Sequence, residues 1–160
     1  MIRPTESSDT AALIAVARGT GVFKPLELVA LEEVLADYHA RESAHGHRAI
    51  TLERDGRASG FAYYAPSSMS ERGWYLWWIA VDRALHGQGL GRALLSHAED
   101  DVRARAGRII FIETSSLDRY EPTRRFYLGL GYEKSAELRD FYADGDDLVV
   151  FAKRLERGNP

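Results

Sequence analysis

Residues 74–104 read WYLWWIAVDRALHGQGLGRALLSHAEDDVRA, and this stretch constrains the fold more than any other. Trp74 to Val81 is an aromatic and aliphatic run with the length and residue types of a buried strand. Asp82 to His86 is a polar break, and three glycines follow at alternate positions, Gly87, Gly89 and Gly91. Leu90, Leu94, Ala98 and Val102 then recur every fourth residue, with Ala93 beside them, as the apolar stripe of a helix does. The order strand, glycine loop, helix makes a site for phosphate. Glycines let backbone N–H groups approach an anion closely, and the helix start adds unpaired donors and the positive end of a dipole.

Spacing excludes two such sites. No Lys-Ser or Lys-Thr pair follows the glycines, so this is no P-loop, and G-x-G-x-G followed by Arg92 and Ala93 does not meet the dinucleotide fingerprint G-x-G-x-x-G. HGQGLGRALL does resemble the pyrophosphate loop of the GNAT superfamily of N-acetyltransferases, written [RQ]-x-x-G-x-[GA]. Gly89 and Gly91 match its two small positions; His86 stands where Arg or Gln is usual. Downstream, YEPTRRFYLGLGY (Tyr120 to Tyr132) is similar to that superfamily's N-x-x-A-x-x-F-Y-x-x-x-G-F. Phe126, Tyr127 and Gly131 match in register, Tyr132 replaces the last Phe, and Tyr120 and Thr123 depart from Asn and Ala.

The resemblance implies an α/β (α+β) GNAT fold. It has a mixed, mostly antiparallel sheet of about seven strands flanked by about four helices, with two splayed central parallel strands. It implies acetyl-CoA as cofactor, held by the loop through His86, Gly87, Gln88, Gly89, Leu90, Gly91 and Arg92, chiefly by backbone amides. The backbone of Ile79, Ala80 and Val81 is expected to meet the pantetheine arm, and a backbone N–H near Val81 to stabilise the oxyanion. Tyr120 and Tyr127 belong to the cofactor site by the second motif. The activity implied is transfer of acetyl to the primary amine of a small molecule, directly, through a tetrahedral intermediate. A protein lysine or N-terminal acetyltransferase, or a non-catalytic acyl-CoA-binding domain, fits the same motifs.

Such a reaction needs a neutral amine and an acid for the departing thiolate. Tyr127 suits the acid, since a phenol has a pKa of about 10 and a donatable proton; the alternative is a helix residue packed on the sheet. Glu113 is the first choice for a base, at the end of an otherwise apolar strand, with an exposed strand-end carboxylate as its alternative. Water in place of a side chain is equally admissible. Glu121, Asp140 and Tyr142 are weaker acceptor contacts; Asp144, Asp146 and Asp147 would attract a cationic amine, but read first as a solvated hairpin tip.

The rest of the chain fits one domain over residues 1–160. Met1 to Arg3 reads as a strand ended by Pro4, and a helix follows to about Arg18. Pro25 opens a second helix carrying Leu28, Leu31, Val34, Leu35 and Tyr38. By resemblance Val22, Phe23 and Lys24 between them wall the acceptor site, although Phe23 also reads as a staple to the core. HARESAHGHR, with His39, Glu42, His45 and His47, reads as a surface loop and matches no metal spacing, so no metal is expected. Arg48 to Arg54 and Ala58 to Ala65 form a hairpin about Asp55-Gly56. Along Trp74 to Val81, Tyr75, Trp77 and Ile79 are expected to point one way and Trp74, Leu76, Trp78 and Ala80 the other. Arg108 to Thr114 is a strand parallel to it, reached by a right-handed crossover. A helix runs from Pro122 to about Leu130, Tyr132 to Leu138 is a strand, Phe141 to Asp146 a turn and Leu148 to Arg154 the last strand. The tail Gly158 to Pro160 is expected to fray.

A net charge of −3 gives no basic face for nucleic acid or an anionic membrane. The absence of cysteine excludes disulfides and a thiol acyl intermediate. There is neither a membrane-length apolar run nor a signal-peptide pattern, so a cytoplasmic location is expected. The resemblance allows a homodimer, but no dimer surface is legible.

Overall fold

In a computed structural model, which describes residues 1–155, the strand expected at the centre of the chain spans Gly73–Val81 and the helix behind the glycines spans Leu90–Ala104. The expectation for the tail lies outside the described residues. In chain order the elements are β1 (Ile2–Pro4), α1 (Thr10–Gly19), α2 (Pro25–Ala40), β2 (Arg48–Arg54), β3 (Arg57–Pro66), β4 (Gly73–Val81), α3 (Leu90–Ala104), β5 (Ile109–Ser115), α4 (Glu121–Gly129), β6 (Glu133–Ala143) and β7 (Asp146–Arg154). The seven strands follow the order β1-β2-β3-β4-β5-β7-β6. The chain divides into two units, residues 1–66 with 77–100, and residues 67–76 with those from 101 onward.

In the first unit β1, β2 and β3 form an antiparallel meander, with Ile2 opposite Leu52 and Ala49 opposite Tyr63. Asp55 and Gly56 turn the hairpin, both with positive φ (52° and 72°), the conformation that Asp-Gly favours. Leu13, Leu31 and Leu35, fully buried, carry α1 and α2 onto Phe61 and Ala80. Burying each such leucine stabilises the fold by about 2 kcal/mol. A second cluster joins Tyr38, Ala49 and Tyr63, with Trp78 packed on it. Asp9 at the head of α1 is 7% exposed and pinned on every side. Its carboxylate accepts from the Arg3 guanidinium at 2.7 and 2.9 Å, from the Glu6 amide at 2.8 Å and from the Thr51 hydroxyl at 3.3 Å. Arg3 also donates to Glu53 at 2.8 Å, so β1, β2 and α1 are tied by one cation.

In the second unit the start of β4 pairs with β5 in parallel from Gly73–Ile109 to Tyr75–Phe111, the relation that a right-handed crossover requires. β5 pairs antiparallel with β7 along its whole length, and β7 with β6. Gly107 sits where a side chain would run into Val102 and the Trp74 ring, so the turn after α3 needs glycine for close packing.

Several local expectations are corrected. HARESAHGHR is the end of α2 followed by a 3-10 turn, Glu42–His45. The apolar stripe of α3 buries Leu94, Leu95, Ala98 and Val102, while Ala93 is exposed. The two-faced alternation of β4 holds from Trp74 to Trp77 and then breaks, because Trp78 and Ile79 are both half-buried. β6 continues to Ala143 through the expected turn at Phe141, leaving only Asp144 and Gly145 between the strands. Asp140 adopts φ 54° there, its amide donating to Asp147 and its carboxylate accepting from the Gly145 amide, both at 2.8 Å. β6 is exposed at every residue, so no apolar alternation marks its extent.

Candidate active site

The first unit carries the glycine loop. A 3-10 turn, Arg83–Leu85, capped by the Asp82 carboxylate on the Ala84 amide at 2.9 Å, brings the chain off β4. His86 then folds back, its Nε2 2.9 Å from the Val81 carbonyl. A carbonyl only accepts, so Nε2 carries the proton. Gly87 and Gly89 have φ of 78° and 76°, the left-handed region that side chains resist, and a Cβ on either would meet nothing within 4 Å. Their role is thus conformational, and the space above them is open. The Ala93 amide donates to the Gly89 carbonyl at 3.0 Å, which makes Gly89 the cap of α3. The amides of Leu90, Gly91 and Arg92 fall in the turn that has no acceptors within the helix. Gln88 and Arg92 are exposed. Gln88 accepts from Arg54 Nη1 at 2.6 Å, a contact not read from the sequence. Open room, a glycine-dependent backbone and unpaired helix-start amides fit a pyrophosphate. Ile79 is half-buried, and Ala80 and Val81 are buried at the end of β4. Phe23 packs against Trp78, ring centroids 5.6 Å apart, as the staple reading expects.

The second unit carries the second motif. Tyr127 on α4 is 5% exposed, its ring against Phe126, Tyr132 and Phe151 at centroid distances of 5.5, 6.0 and 5.8 Å. Burial pushes its phenol above the ordinary range, so it holds its proton throughout neutral pH. Tyr120, also 5% exposed, precedes α4 with the Arg119 guanidinium over its ring. Arg124 donates to the carbonyls of Ser115 and Leu117 at 2.8 and 2.9 Å, fixing α4 to the end of β5.

Glu113 is an exposed residue of β5 with buried neighbours, Ile112 and Thr114. Partial burial of its carboxyl raises its pKa. Phe151 pairs with Ile112, and directly paired residues share a sheet face. Tyr127 therefore lies on the Ile112 face and Glu113 on the other. The reading of Asp146 as solvated is corrected: it is 3% exposed and accepts from the Ser115 hydroxyl. It was missed because, within an Asp-Gly-Asp-Asp run, nothing separates a buried carboxylate from a hydrated one. Asp147, half-buried, has its amide on Ser116 Oγ at 2.8 Å. Glu121, Asp140 and Tyr142 are exposed.

His45 and His47 approach Glu42 at 3.4 and 3.5 Å, but His47 Nδ1 lies 2.6 Å from the buried Tyr63 hydroxyl. Among the described residues no three potential ligands form a metal site. A groove of about 530 Å3 runs along α1 past Ser8, Ala12, Arg57 and Asp82, and holds none of the residues the motifs single out. No helix among the described residues is long and apolar enough to cross a membrane.

The glycine loop and α4 each carry one of the two motifs, and comparison with known proteins specifies the class. The sequence profile of the acetyltransferase (GNAT) family matches residues 14–132. A crystal structure from Desulfovibrio desulfuricans, of a protein assigned to the GNAT family, is 34% identical with a TM-score of 0.93, covering 98% of this chain and 99% of that one. The ribosomal-protein-S18-alanine N-acetyltransferase of Escherichia coli (22% identity, TM-score 0.78, covering 99% and 96%) shares the fold. So does an aminoglycoside 6'-N-acetyltransferase complexed with coenzyme A (18% identity, TM-score 0.77, covering 100% and 99%). No curated protein matches the sequence. The chain belongs to the GNAT family of acetyltransferases, acyltransferases that use acetyl-CoA.

Proposed function

We propose that this acetyltransferase moves the acetyl group of acetyl-CoA directly to the primary amine of a small molecule. The observation that carries the reading is the match of the GNAT family profile over residues 14–132, a span that includes the glycine loop, Glu113 and Tyr127. The Tyr127 hydroxyl carries a donatable proton for a leaving thiolate, and the exposed Glu113 carboxylate is open to an amine. Acetyl-CoA supplies the acyl group as a thioester. As the C–N bond forms and the C–S bond breaks, Glu113 takes a proton from the amine and Tyr127 gives one to sulfur. The raised pKa of Glu113 makes it a stronger base than an ordinary carboxylate. The glycine loop, from His86 to Arg92, holds the pyrophosphate through its amides, and the backbone of Ile79 to Val81 aligns the arm. A backbone N–H near Val81 is the donor for the oxyanion.

The test is an acceptor panel of small mono- and polyamines, amino acids and short peptides, assayed by release of free coenzyme A. Turnover of small amines in preference to peptides supports the reading; turnover confined to peptides would replace it with a protein-modifying enzyme. Binding of coenzyme A without turnover of any acceptor would favour a non-catalytic acyl-CoA-binding domain.

A further inference from the structure

Coenzyme A carries a pyrophosphate and a 3'-phosphate, and the surface that meets them gains from a fixed cation as well as from amides. Within the loop itself the one guanidinium is Arg92, exposed in the first turn of α3. Where the related motif has Arg or Gln, this chain has His86, whose Nε2 proton is committed to the Val81 carbonyl. A cation reaches the loop from elsewhere in the first unit. Arg54 closes β2, 34 residues before Gln88, and its Nη1 donates to the Gln88 side chain at 2.6 Å. Gln88 directly precedes Gly89, the cap of α3. A guanidinium has five N–H donors in a rigid fork, so this bond leaves most of them unspent. Among the described residues no carboxylate is paired with Arg54. Arg54 is exposed, and the space above Gly87 and Gly89 is open. A guanidinium anchored to the loop and otherwise unpaired is arranged for an anion.

We infer that Arg54, held at the glycine loop by Gln88, is a second cation, beside Arg92, that meets the pyrophosphate of coenzyme A in this chain. The inference rests on the assignment of the loop to acetyl-CoA. It adds a charge from β2 to a loop that has His86 where Arg or Gln is usual.

The experiment is calorimetric titration of the full chain with coenzyme A, dephospho-coenzyme A and pantetheine, for wild type, R54A, R54K and Q88A/R54A beside Q88A. Loss of one charge-assisted contact is expected to weaken coenzyme A binding by about tenfold to about a hundredfold in R54A. Dephospho-coenzyme A, which keeps the pyrophosphate, should lose as much, and the ratio of wild type to variant should fall toward one for pantetheine. R54K should recover part of the loss, and R54A should show a shallower dependence on salt than wild type. R54A should weaken binding less in the Q88A background, because Gln88 holds the guanidinium at the loop. Equal affinity of wild type and R54A for coenzyme A would overturn the inference. A loss confined to coenzyme A would also overturn it, by moving Arg54 to the 3'-phosphate. A folded wild type that binds no coenzyme A would instead bring down the cofactor assignment, a result distinct from all of these.

Discussion

Replacing Tyr127 by phenylalanine removes one hydroxyl and leaves the rest of the site standing. The ring touches Phe126, Tyr132 and Phe151, and phenylalanine keeps all three contacts. The lost hydroxyl is therefore expected to change stability by no more than about 1 kcal/mol. For a domain of this size that is about 2–4 °C in Tm. The catalytic effect should be much larger. A positioned general acid contributes about 10²- to 10⁴-fold. Y127F should thus lower kcat by at least about a hundredfold, or about 2.7 kcal/mol of barrier, with coenzyme A affinity nearly unchanged. The assay is steady-state release of coenzyme A with a saturating amine, beside calorimetric titration and thermal melts of both proteins. A fall in kcat of less than about threefold would refute the acid role, since it is far below what a general acid supplies. A collapse in Tm would refute the packing argument.

Three further perturbations test other parts of the account. Asp9 is held below the ordinary carboxylate range first by its hydrogen bonds from Arg3, so its contribution is present above the unfolded pKa and lost as pH falls through the folded value. D9N should cost about 2–3 kcal/mol at pH 7 by urea denaturation and converge on wild type in strong acid; a constant difference at all pH values would contradict this. Glu113 has a raised pKa, so its charging opposes folding as pH rises through the window above the ordinary glutamate value. E113Q should therefore be no less stable than wild type at neutral pH while losing kcat/KM and the acid limb of the pH profile, and an unchanged profile would hand the base role to water. A Cβ at Gly60 would stand 2.9 Å from the Ala80 carbonyl and 3.3 Å from Leu94, so G60A should cost about 1–3 kcal/mol in denaturant unfolding, and a neutral result would show that β3 can shift away from β4.

Where a residue's type alone carries the physics, the sequence was readable. Gly87 and Gly89 stand at positive φ, a conformation that selects glycine, so the loop was visible as spacing. The leucines of α1 and α2 bury at helical intervals, and the crossover forced β4 and β5 to be parallel. What was missed depends on partners far away along the chain. Arg54 at a strand end looks like any solvated arginine until β2 brings it to Gln88. Asp146 looks like a hairpin-tip acid until Ser115 closes on it. β6 hid its length because no face of it is buried. The opposition of Glu113 and Tyr127 required the β5–β7 register, which no local pattern encodes.

The central claim is that the glycine loop binds acetyl-CoA, and calorimetric titration of acetyl-CoA into wild type and G89V tests it most directly. Valine cannot hold the φ of 76° without strain, although nothing obstructs its Cβ, so the variant should keep its fold and lose the loop conformation. The account predicts binding at about micromolar Kd by wild type, the range common for such substrates, and a loss of at least about tenfold in G89V. Equal binding by both proteins would contradict the loop assignment, and no binding by folded wild type would contradict the claim itself.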